Sequence, residues 1–352
     1  MSITRRGGSA VGCLMLVALI AAACGSSDSG GPADEVSDGK PLTSKVKITY
    51  LYTPATTSAP AYVALAKGYF ADENLDVTMK PFTGDSAQVV PLLATGKADA
   101  IGTSSSPGFF NGIVNRLDVK FVLSGGLPQK GAPTAALLAK SNGPVSSVTD
   151  LEGRKVSLVG GAETVSGYYV DELLKQGGLT IDDVEVVNLD FPSGLAALKN
   201  GAVDAAIQFA PNIQNLVGSG AFTTVGDMDA VYAKGSPNGV ILGPALLKDN
   251  RRAGVAFVRA LQRAASTDLV GDYLKDPDIA AAIATGMNIP VGDTQSLAAP
   301  VFDPELAIDP GGFESVQRFW LDLGALSYDK PLPRARYIDE KLVTTATETK
   351  TS

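Results

Sequence analysis

No histidine occurs anywhere in the chain, and its two cysteines, Cys13 and Cys24, both fall in the first two dozen of 352 residues. A sequence so composed cannot build a Ser-His-Asp triad, a Cys-His pair or a zinc site of the usual ligands. Most hydrolase and metalloenzyme chemistry is therefore excluded, and no metal or other cofactor is expected. Positive charge is scarce as well. Lys plus Arg number 29 against 37 Asp plus Glu, and setting aside Arg5 and Arg6 leaves 27 against 37, a net charge of −10. Nucleic acid and anionic lipid both require a basic face, so neither is an expected partner of the folded part. A small anion, which a few local donors can hold, is still allowed.

The N-terminus carries what the rest of the chain lacks. Arg5 and Arg6 precede an apolar run of 13 residues, Val11 to Ala23, followed by Cys24, Gly25, Ser26 and Ser27. This is the layout of a secretory signal, and the run is shorter than the ~20 residues that a membrane-spanning helix needs. Its ending, LIAAAC, resembles the bacterial lipobox, which implies removal of residues 1–23 and lipidation of Cys24. Two or three acyl chains at ~0.8 kcal/mol per buried CH₂ would hold the protein durably to the membrane. The alternative is an ordinary signal cleaved near Ala23, with Cys24 a free thiol. Residues 24–45 are rich in Gly, Ser, Pro and Asp and read as a flexible tether.

Beyond residue 45 the chain contains a duplicated pattern. VVPLLATGKADAIGTSSS from Val89 aligns without a gap to GLAALKNGAVDAAIQFAP from Gly194, matching Leu93 to Leu198, Gly96 to Gly201, Asp99 to Asp204 and Ala100 to Ala205. Each copy reads as an apolar helix face, a glycine suited to a left-handed helix C-cap, and a short strand opening with Asp-Ala. The offset of 105 residues is too long for a solenoid, so the repeating unit is a subdomain. Upstream, strands are expected near 47–52 and 76–82 in the first copy, and near 155–159 and 184–189 in the second, with helices between them. The pattern β-α-β-α-β implies a largely parallel sheet flanked by helices in each copy, an α/β protein of two lobes with a hinge between. The expected boundaries are 46–137 plus 236–340 for lobe one and 138–235 for lobe two. Helical stripes at Phe257, Ala260, Leu261 and Ala264, and at Val316, Phe319, Trp320 and Leu323, are expected to form core and to return to lobe one.

These segments resemble the type II substrate-binding proteins of ABC importers, in the class that handles nitrate, sulfonates, taurine, thiamine precursors and aromatic acids. The likeness rests on YVALAKGYFADENLDVTMKPF from Tyr62, and on the Gly-x-x-Asp-Ala element of each copy. One departure is Asn74, where the family often has Gly in a left-handed turn that Asn tolerates. The resemblance implies a periplasmic-binding-protein-like clamp that captures a small anionic or polar organic solute for a membrane permease. With the lipobox it implies a lipid-anchored, extracytoplasmic monomer. Two rivals remain: a sensor or surface-antigen module built on the same clamp, and an enzyme of the pyrimidine-synthase branch. The latter is disfavoured because those relatives need histidine and a cysteine-rich motif.

Ligands of open α/β sheets bind beyond the carboxyl ends of strands. The expected ligand-binding residues follow from that rule: Thr53, Thr56, Thr57 and Ser58 after the first strand, and Thr103, Ser104, Ser105 and Ser106 after the third. Lobe two adds Thr164, Ser166, Tyr168 and Phe209. Hydroxyls ahead of helix starts sit beside unpaired backbone amides, which can hold an anion without arginine. Lys67 and Lys130 are nearby cations for which solvated positions are the expectation, and Tyr62 is expected in the core.

Overall fold

A computed structural model describes residues 38–82, 88–209, 212–232 and 235–349. The signal segment, Cys24 and residues 24–37 of the expected tether lie outside the described residues, whereas its last stretch is packed on the fold: Leu42 is buried and the Pro41 carbonyl accepts from Arg252. The chain forms two five-stranded sheets with helices packed on their faces. The first sheet has the order β2-β1-β3-β10-β4, built from β1 (Val46–Tyr52), β2 (Leu75–Pro81), β3 (Ala100–Ser104), β4 (Lys120–Ser124) and β10 (Asn238–Leu242). The second has the order β7-β6-β8-β5-β9, from β5 (Ala135–Lys140), β6 (Lys155–Leu158), β7 (Glu185–Asn188), β8 (Ala205–Phe209) and β9 (Phe222–Thr224).

Each sheet runs four strands one way and one the other. β1 pairs parallel with β2 and β3, while β10 is antiparallel to both β3 and β4. β6 pairs parallel with β7 and β8, while β5 is antiparallel to β8 and β9. The reversed strand is in each case the one that arrives from the other sheet. The first crossing, residues 125–134, precedes β5, which lies wholly in the second sheet. The change of sheet therefore comes earlier than the 137/138 boundary expected from the repeat, which would have cut β5 in two.

The repeated motif has the same structural use in both sheets. Helix α2 (Val89–Ala94) leads to Gly96 at φ +67°, and the corresponding helix α5 (Phe191–Asn200) leads to Gly201 at φ +83°. Both glycines turn the chain with backbone that a Cβ would disfavour. Asn74 takes the left-handed turn expected of it, at φ +57°, and its Nδ2 donates to Leu42 O at 2.8 Å.

Helix α6 (Asn212–Gly218) packs on the second sheet, and helices α1 (Ala59–Ala66), α7 (Arg251–Thr267), α8 (Pro277–Met287) and α10 (Glu340–Glu348) form one layer on the first. Phe257 of α7 stacks on Phe70 with ring centroids 5.3 Å apart, and Arg259 grips Glu73 through two bonds of 2.6 Å. Tyr62 is buried in this layer, edge-on to Tyr52, as expected of it. Helix α9 (Pro310–Asp322) departs from the expectation that the C-terminal helices belong to lobe one alone. Its Phe313 packs on Phe121 of β4 and its Trp320 on Phe110, but its Phe319 packs on Tyr168 beside the second sheet. An amphipathic stripe announces a buried face without naming the surface that covers it. Here that surface is both sheets' outer layers at once, in one continuous apolar cluster.

Candidate functional site

The carboxyl ends of β1, β3, β6 and β8 meet at one cavity of about 810 Å³ between the two sheets. That volume lies in the range of pockets that enclose a whole small molecule. Its first-sheet wall contains Thr53, Thr56, Thr57 and Ser58 in the loop after β1, and Thr103, Ser104 and Ser105 at the end of β3. Its second-sheet wall contains Thr164, Ser166 and Phe209. Ten of the twelve residues expected from the sequence are thus brought together.

Ser106 and Tyr168 are not. Ser106 is the N-cap of helix α3 (Pro107–Val114), where its Oγ accepts from Phe109 N at 3.1 Å, so its hydroxyl serves the helix. Tyr168 is fully buried and faces Phe319, whereas Tyr169, one residue on, lines the cavity. A single step along α4 (Val165–Leu174) rotates a side chain by about 100°, enough to exchange core for cleft. Two of the ten lining residues also serve the fold. Ser58 Oγ donates to Thr53 O at 2.8 Å, and Thr164 caps α4 by accepting from Gly167 N at 3.3 Å. Lys67 pairs with Asp278 at 3.8 Å and Lys130 is exposed, and neither lines the cavity.

Among the described residues, no Asp, Glu, Lys or Arg lines this cavity. Five aromatic side chains that line it were not expected from the sequence: Tyr50, Phe82, Tyr169, Phe191 and Tyr232. Phe82 follows β2 and Phe191 follows β7, so the strand-end rule, extended to the second strand of each repeat, finds both. Phe191 and Phe209 form an edge-to-face pair, centroids 4.7 Å apart at 70°, half-buried on the second-sheet side. Tyr50 had no such signal, because it lies within β1. It reaches the cavity past Gly102, where any Cβ would collide with its hydroxyl.

The floor is formed by the second crossing between sheets. Tyr169 Oη shares a hydrogen bond of 2.8 Å with Ser236 Oγ, which also accepts from Asn238 Nδ2 at 2.6 Å. Tyr232 and Thr134 hydroxyls, 3.4 Å apart, join the two crossings. Burial holds the Tyr50 and Tyr169 phenols well above the ordinary tyrosine range and pushes Tyr232 up to about 12, so all three remain protonated at neutral pH.

A cleft between two α/β lobes, roofed by strand ends and floored by the crossings, defines the class of two-lobed solute-binding proteins. Within that class the chain belongs to the NMT1/THI5-like family, whose model matches residues 55–277. It is 29% identical over 277 residues to the riboflavin-binding protein RibY of Chloroflexus aurantiacus, covering 75% of this chain and 74% of that one. Against the taurine-binding periplasmic protein of Escherichia coli it is 28% identical over 235 residues, 66% and 68% of the two chains. Fungal 4-amino-5-hydroxymethyl-2-methylpyrimidine phosphate synthases match less than half of it. Among solved structures, the periplasmic sulfonate-binding protein SsuA from Methylobacillus flagellatus superposes with a TM-score of 0.67 at 16% identity, covering 87% of this chain and 95% of that one. The shared fold is that of ABC-importer binding components.

Proposed function

We propose that this protein is an extracytoplasmic solute-binding protein that captures a flat, uncharged, polar-edged organic solute and delivers it to an ABC importer. The observation that carries the reading is the lining of the cleft: hydroxyls and aromatic faces, with no charged side chain among the described residues. A bare anion such as nitrate would exchange its full hydration for a site without a compensating cation, which is costly. A ring system instead gains from Phe82, Phe191 and Phe209, while its polar edge meets the threonine and serine hydroxyls. Of the anionic and polar solutes that the sequence suggests, the polar one fits this lining. The likeness to a riboflavin-binding protein over three-quarters of both chains supports the same choice.

The lining also supports capture over catalysis, since it offers tyrosine and hydroxyl groups but no carboxylate, lysine or thiol among the described residues. Lipidation at Cys24 completes the reading: replacement of the membrane anchor by Cys24→Ser should release the protein to the medium, and unchanged membrane retention would remove the lipid from the proposal.

The test of the ligand class is thermal stabilisation of the detergent-solubilised full chain by riboflavin, lumichrome, benzoate, taurine and nitrate. A ligand at a hundred times its dissociation constant adds about 2.7 kcal/mol of stability. Stabilisation by the neutral ring compounds is expected; stabilisation by taurine or nitrate alone would overturn the reading.

A further inference from the structure

Two residues that line the cleft each hold a buried polar atom without the partner that such atoms normally have. Ser105 is 1% exposed and lines the cavity, yet its Oγ makes no hydrogen bond. Asn238, which also lines the cavity, spends Nδ2 on Ser236, and its Oδ1 is buried without a partner. The two are neighbours across the strand ends, because Ser105 N donates to Pro237 O at 2.8 Å and Asn238 is in register with Ser104. A buried acceptor and a buried hydroxyl left idle in a native site are expected to be completed by something that enters it.

Resting on the function proposed above, we infer that Asn238 and Ser105 are the specificity-determining residues of the cleft, and that they read a lactam or imide edge, an N–H beside a C=O. The Asn238 carbonyl can only accept, so it requires a ligand N–H. The Ser105 hydroxyl is then free to donate to the adjacent ligand carbonyl. With Nδ2 donating to Ser236 Oγ, which is paired in turn with Tyr169 from the second sheet, Oδ1 is the amide atom left for a ligand. Gly125 makes this placement possible, since a Cβ there would collide with Asn238 Oδ1. Sulfonate and nitrate, which carry only acceptors at the charged group, would set oxygen against oxygen at this point.

The inference separates compounds that differ by one methyl group. Riboflavin and lumichrome each carry the imide, and their N3-methyl derivatives replace its N–H while keeping the ring system. Titration calorimetry on the wild-type full chain should show at least a tenfold weaker affinity for the N3-methyl member of each pair. Asn238→Ala should weaken the parent compounds by about tenfold or more and erase the preference against methylation, and Ser105→Ala should weaken them by several-fold. Equal binding of parent and N3-methyl compounds by the wild type would overturn the imide assignment while leaving the flat-solute reading in place. Failure of every ring compound, with or without binding of taurine or nitrate, would overturn both. The methyl comparison needs no variant, so a folding defect in Asn238→Ala does not blunt it.

Discussion

At the foot of the first sheet Asp99 Oδ2 accepts the Thr49 amide at 2.7 Å, and Asp99 N donates to Thr49 O at 2.9 Å. At the foot of the second, Asp204 Oδ2 accepts the Lys155 amide at 3.0 Å, and Asp204 N donates to Lys155 O at 2.8 Å. The repeated aspartate thus has the same role twice, tying the start of one central strand onto its parallel neighbour, at Thr49 in the middle of β1 and at Lys155 at the start of β6. At the opposite ends of the same strands the resemblance stops. The first sheet presents Thr53, Thr56, Thr57, the Tyr50 phenol and the single ring of Phe82 to the cleft, whereas the second presents the paired Phe191 and Phe209 rings beside Thr164 and Ser166. Residues that satisfy backbone are alike in the two copies because both sheets pose the same demand. Residues at the cleft are under no such shared backbone demand, and they differ.

The sharpest way to break this comparison is to remove an ion pair from each copy. Glu73→Ala should cost about 3–5 kcal/mol in urea unfolding, because it leaves Arg259, 6% exposed, as an uncompensated buried charge. Glu185→Ala in the second copy should cost under about 1 kcal/mol, since the Lys155–Glu185 pair is half exposed on both sides. Similar losses for the two would mean that the helical layer over the first sheet adds no special anchoring.

The motif itself comes next. Asp99→Ala and Asp204→Ala should each destabilise by about 1–3 kcal/mol, with little effect on ligand affinity, since each strands one backbone amide of the neighbouring strand. A large loss for one and none for the other would show that the shared spacing does not carry a shared role.

On the cleft side the walls should part company. Phe209→Ala should lower affinity for a ring compound by about 1 kcal/mol or more, while Thr56→Val should change it by less. Ser106→Ala should leave affinity intact and cost about 1 kcal/mol of stability through the lost helix cap. A binding defect in Ser106→Ala measured by calorimetry would return that hydroxyl to the site.

The smallest effect is expected from pH. Burial raises the titrations of Tyr50, Tyr169 and Tyr232 above the ordinary tyrosine value, so these groups stay neutral as pH rises to about 9. Affinity for an uncharged solute should therefore be level from pH 5.5 to 8.5. A marked fall across that range would place an ionising group in the cleft.

The local sequence determined the elements and the duplication, because they rest on near-neighbour physics. Alternating apolar patterns gave β1, β2, β6 and β7; Gly96 and Gly201 marked the helix ends; the strand-end rule located most of the hydroxyls that line the cleft. Absences were equally informative, since a chain without histidine and with no cysteine after Cys24 has few catalytic options. Tertiary structure alone decided three further matters. It set which sheet β5 joins, which depends on pairing between strands 60 residues and more apart in the chain. It spread α9 over both sheets, because an apolar stripe does not specify its partner. It also chose Tyr169 over Tyr168, and Ser105 over Ser106, for the cleft. Those pairs are chemically identical neighbours, and only the rotation of a helix or the end of a strand in three dimensions places one of each at the cleft and the other in the framework.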